Sequence, residues 1–277
     1  MKRILSFLLG AVILVFTACQ KEEIEEAPGN IPGMGNAPGE LQVDPFEFPE
    51  DFEFVGNASG FDGSTIAVQG NASLKSTYAS KTVQSFCNYG SGGHFVKLQI
   101  TVKNTNPTHG RSLFFPPGLI FKINLADYQN AILLDWIWTC IQPGQTKTFV
   151  VHLYCVNLGK KGSEANLEYE IIGVTSSLEM WRLLHMVHWH KINWEHYNSN
   201  VEISKAKLKA DGNPSYEEIA DVLQDAVWAI TNGSGLTQEQ IEFIESIPML
   251  KEGTYPKSLD DKTVEPPYYF EEYIPVE

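Results

Sequence analysis

The chain has 277 residues, room for one large domain or two small ones. Hydrophobic residues at 43% and aromatics at 12% exclude a wholly disordered chain, and 22 Gly with 15 Pro favour strands and turns over a long helical bundle. Thirty-four acidic against 20 basic residues give a net charge of -14, a field that repels phosphate backbones, so no nucleic-acid partner is expected.

Lys2 and Arg3 precede an apolar run from Ile4 to Phe16, and Thr17-Ala18 stand directly before Cys19. The run is shorter than the roughly 20 residues that span a bilayer, and its basic start and small-residue end have the form of a signal peptide over 1–18. Two small residues before a cysteine resemble the bacterial lipobox, with Phe16 where Leu is usual. The resemblance implies cleavage before Cys19 and acylation of its thiol and amine, palmitate included. Gln20-Lys21-Glu22-Glu23-Ile24-Glu25-Glu26 resembles the Lys-plus-acidic tract behind the lipid cysteine of Bacteroidetes-type surface lipoproteins. That implies an outer-membrane, lipid-anchored and surface-exposed address, with the bilayer as a partner. Cleavage removes two of the basic residues, taking the net charge from -14 to -16.

Ala27 to Pro49 is dense in Pro and Gly, a composition that buries little surface, so 19–49 reads as an acidic and then Pro/Gly-rich tether. From residue 50 strands are predicted. Val96, Leu98, Ile100 and Val102 alternate with polar residues, and further candidates are Leu119 to Asn124, Ala131 to Ile141, Thr146 to Val156 and Leu167 to Val174. Turns such as Gln142-Pro143-Gly144-Gln145 separate them. Residues 50–175 are therefore expected to form an antiparallel β-sandwich. Past Ser176 the period becomes helical: Ser177 caps a helix through Ile192, Pro214-Ser215 opens one to Gly233, and Thr237 to Gln240 has capping-box spacing for a third that Pro248 stops. The expected fold class is α+β, β-rich, with a small helical subdomain over 176–252 and an irregular tail over 253–277.

No Walker loop, dinucleotide fingerprint, nucleophile elbow or zincin helix is present, and no cofactor is expected. His185 and His188, three apart on a helix, have the spacing of a metal-binding pair with a third ligand from Glu195 or His196. Their apolar neighbours Leu184, Val187 and Trp189 fit core histidines better. Beside Cys19, the mature chain has Cys87, Cys140 and Cys155, an odd number. Either a disulfide leaves one thiol over, with Cys87 and Cys140 as candidates, or all three are reduced. Cys155 shares a strand face with Phe149, Val151 and Leu153, which fits a small buried hydrophobe.

Tyr154-Cys155-Val156-Asn157 and Leu223-Gln224-Asp225-Ala226-Val227-Trp228 also resemble the two motifs of thioester domains in Gram-positive surface adhesins. There an aromatic or Leu precedes the Cys, and a Gln is followed by x-Ala and two apolar residues; Leu223 stands where Thr is usual. The resemblance implies a Cys155–Gln224 thioester open to attack by a target amine. Helical projection places Gln224 on the flank of the stripe Ile219, Val222, Leu223, Ala226, Ile230, so only a helix buried on two sides turns it inward. The leading expectation is a non-enzymatic surface lipoprotein that binds a surface protein or glycan. The covalent adhesin is second, and a glycan-processing or metal-dependent surface enzyme third.

Overall fold

A computed structural model of the chain describes residues 26–61, 88–89, 95–193, 197 and 214–250. Its strands are β1 (Val43–Asp44), β2 (Phe52–Phe54), β3 (Ala58–Gly60), β4 (Asn88–Tyr89), β5 (Val96–Asn104), β6 (Arg111–Phe115), β7 (Leu119–Lys122), β8 (Ala131–Ile132), β9 (Ile137–Ile141), β10 (Thr146–Cys155) and β11 (Glu168–Thr175). The helices are α1 (Leu178–Val187), α2 (Tyr216–Thr231) and α3 (Gln238–Ser246).

The expected sandwich is not formed. Six antiparallel strands run β11-β3-β5-β10-β8-β7 and return to β11, closing a barrel, while β4, β9 and β6 make a separate three-stranded sheet. Closure falls to β11, which pairs with β3 through Glu168 and Tyr169 and with β7 through Glu170 to Val174. A register shift between Ile171 and Gly173 bends it between these neighbours. Gly173 has φ 144, and a Cβ there would come within 2.3 Å of the Asp44 carbonyl oxygen, so the bend needs glycine. The predicted strand Ala131 to Ile141 is also divided: β8 belongs to the barrel and β9 to the small sheet, with the chain crossing over at Leu133–Trp136.

Strand register defines one inward face. Val96, Leu98 and Ile100 oppose Leu153, Val151 and Phe149, and Cys155 opposes Ala131, which in turn opposes Phe121. Cross-strand partners share a face, so Cys155 points with Leu153 and Val151 into a core whose aliphatic members are fully buried.

The helices start where their caps dictate. Ser177 accepts from Met180 N at the head of α1, and reciprocal capping boxes, Ser215 with Glu218 and Thr237 with Gln240, open α2 and α3. α1 ends at Val187, ahead of the Ile192 that periodicity suggests, and Trp189 just beyond it takes φ 68. Among the described residues no helix is long and apolar enough to cross a membrane.

Residues 26–44, read from composition as part of a tether, lie against this body as a strap. Glu26 accepts from Ser177 Oγ and Glu179 N at the head of α1, Gly29 N donates to Ile230 O (2.7 Å), and Gly35 N donates to Val156 O (2.8 Å). Ile31 and Met34 are buried, and β1 pairs with β11. Turns among the Pro and Gly residues bring those two apolar side chains inward, an arrangement invisible to composition alone. At Gly35 a Cβ would come within 2.0 Å of the Thr231 carbonyl oxygen, so this close crossing over α2 also requires glycine.

Candidate functional site

The site begins with an unpaired stretch of strand. On β10, Val156 N donates to Asn130 O toward the β8 side, so Cys155, one residue back, aims its N–H and C=O toward β5. But β5 begins at Val96, opposite Leu153, and its described pairing with β10 goes no further. Both peptide groups of Cys155 are therefore left facing the protein interior.

Gln224 fills that slot from α2. Cys155 N donates to Gln224 Oε1 (2.8 Å), and Gln224 Nε2 donates to Cys155 O (2.9 Å), two hydrogen bonds across 69 residues of sequence. Gln224 is 1% exposed and Cys155 0%. α2 is buried on two sides: Ile219, Leu223, Ala226 and Ile230 make one, and Ala220, Gln224 and Val227 the other, which turns the flanking glutamine inward. The carboxamide thus bonds to both peptide groups flanking the Cα that carries the thiol.

Electrostatics keep that thiol protonated. Burial pushes Cys155 up to about 12. The phenol of Tyr169, also buried, is raised by desolvation first and by the nearness of Cys155 second. Two neighbours of the pair were not flagged by motif reasoning. Asn157 accepts from Asn130 N and donates to Gly35 O, tying the strap to the end of β10, and Phe95 packs its ring on Trp228 of α2 with centroids 5.7 Å apart. Asn157 stands inside the Tyr154–Asn157 motif, which was the available signal; Phe95 carried none.

The other predicted residues fall elsewhere. Cys140 is disulfide-bonded, and Cys155 is the free cysteine among the described residues. Cys19 and Cys87 lie outside the described residues, as do Glu195 and His196. His185 packs against Trp181, while His188 stacks on Trp136 (interplanar 12°) and touches Trp189. Burial, reinforced by His185 and His190, lowers His188 to about 4, and no group of three metal-ligating side chains occurs among the described residues. The same aromatic neighbourhood holds Trp136 and Trp138, buried against Phe114.

Comparison with protein-family models, curated proteins and solved structures finds no match to this chain.

Proposed function

We propose that this chain is a surface-anchored adhesion module that binds covalently, through a thioester between Cys155 and Gln224. The observation that carries this is the buried carboxamide of Gln224 bound to both peptide groups of Cys155. It favours the covalent reading over a module that binds by surface contact alone. The lipid anchor on Cys19 and the outer-membrane address belong to the same proposal and rest on the amino-terminal sequence.

The chemistry uses groups already in place. The Cys155 thiol adds to the Gln224 amide carbon, and negative charge gathers on Oε1, where the Cys155 N–H already donates at 2.8 Å. The C–N bond breaks, Nε2 leaves as ammonia with the thiol proton, and the Sγ–Cδ bond remains. A thiol held near pKa 12 gives almost no free thiolate at neutral pH, so proton transfer accompanies the addition. The two hydrogen bonds hold the Gln224 amide beside Cys155, and that proximity supplies the effective concentration that makes so weak an electrophile react. A target amine then attacks the thioester carbonyl, an amide forms, and the sulfur leaves as the Cys155 thiol. A surface protein bearing a primary amine is the partner this implies.

Intact-mass measurement on protein lacking residues 1–19 tests the reading. One ammonia is missing from the expected mass, and the deficit disappears in Cys155→Ala. Full mass in the unsubstituted protein, with Cys155 open to alkylation after denaturation, overturns it. Failure of labelled palmitate to enter the full chain overturns the anchor separately.

A further inference from the structure

A thioester survives only if water is kept from its carbonyl, and it reacts only if an amine can reach it. Two aromatic side chains in contact, Trp228 and Phe95, lie at the α2 turn that follows Gln224. Trp228 follows Gln224 by four residues on α2, hence on the same helical face. A helical side chain leans toward the amino terminus and covers the preceding turn, so the Trp228 indole lies over the turn that carries Gln224. Its Nε1 is sealed from solvent and has no hydrogen-bond partner among the described residues, so packing holds the ring. Phe95 contributes to that packing, its ring centroid 5.7 Å from that of Trp228. It is the residue just before β5, at the point where strand pairing with β10 ends and Gln224 takes over. At 40% exposure it is the outer member of the pair, whereas Gln224 beneath is 1% exposed.

We infer that Phe95, packed against Trp228, is the residue that shields the Cys155–Gln224 thioester and sets how fast an amine reaches it. This rests on the proposed thioester. Phe95 bonds to none of the reacting atoms and is a positioning residue, acting through Trp228. It tunes consumption of the bond without contributing to its formation. Removing the ring leaves the carboxamide contacts on β10 and α2 intact and uncovers one side of the indole.

The test follows intact mass of protein lacking residues 1–19 during exposure to methylamine, for the unsubstituted protein, Phe95→Ala and Phe95→Trp. Met249, 58% exposed on the chain beyond α3, gives a control variant, Met249→Ala. All four start with one ammonia missing. Phe95→Ala then takes up methylamine about tenfold faster, the change expected when an aromatic contact of this type is lost. Phe95→Trp, which keeps the cover, reacts at or below the unsubstituted rate, and Met249→Ala matches it. Equal rates for Phe95→Ala and the unsubstituted protein overturn the shield while leaving the thioester standing. Full starting mass in the unsubstituted protein overturns both. If Phe95→Ala does not fold, Phe95→Leu takes its place, and a rate unchanged from the unsubstituted protein counts against the shield in the same way.

Discussion

Cys140 and Cys155 lie on consecutive strands joined by one turn, yet their sulfurs have different chemistry. Cys140, on β9 of the small sheet, is disulfide-bonded, and Lys147 Nζ donates to its carbonyl oxygen (3.3 Å) and to Thr139 Oγ1 (2.6 Å). Cys155, at the far end of β10, keeps a free thiol in the barrel interior, and its peptide is held by a side-chain amide instead of a strand. The first region spends its cysteine on cross-linking. The second surrounds one with apolar side chains and a single carboxamide, which bonds to the peptide groups on both sides of the cysteine. What distinguishes the two cysteines is the neighbour that tertiary structure delivers.

Substitutions can break or sharpen this contrast. The largest effect is expected from Gln224→Ala, which strips both buried peptide groups of Cys155 of their partner at roughly 1–3 kcal/mol each. Measured in a Cys155→Ala background, where no thioester can form, urea unfolding is expected to show a loss of about 4 kcal/mol on adding Gln224→Ala. Equal stability with and without the glutamine would mean that it does not support the backbone. Next comes Cys140→Ala, expected to lose about 3 kcal/mol with its disulfide, as should the unsubstituted protein under reducing conditions. A reductant that leaves the unfolding midpoint unchanged would remove the cross-link from the account.

The smallest effect is a pH dependence at Lys147. Burial lowers this amine from 10.5 to about 8, so between those values the unfolded chain holds a proton that the folded chain lacks. Its contribution therefore makes stability rise with pH across that window. Comparison with Lys147→Met isolates it, since other titrations cancel: the unsubstituted protein should gain about 2 kcal/mol on the variant between pH 8 and 10.5. A difference that stays flat with pH would show that the amine is solvated in the fold.

Much of the local structure was legible. Ser177, Ser215 and Thr237 cap helices because a side-chain oxygen facing a free N–H is a local matter. The alternation that places Val151, Leu153 and Cys155 on one face is local too. Barrel closure was not legible, because inward–outward alternation is the same in a sandwich. The distinction lies in β11 finding two neighbours and bending at Gly173. The break within Ala131 to Ile141 had one signal, Asp135 in the middle of the apolar run, which the fold buries and bonds to Asn193 Nδ2. At the site, the cysteine and glutamine motifs could be quoted from sequence. The inward turn of Gln224 could not, since it depends on a helix enclosed on two sides.

The strap also moves the amino-terminal edge of the folded unit. An expression boundary drawn behind the Pro/Gly-rich run, at residue 49, would cut Ile31 and Met34 out of the core, strip β1 from β11 and take the Glu26 carboxylate from the head of α1. The contacts of the folded body reach back at least to Glu26, seven residues after Cys19.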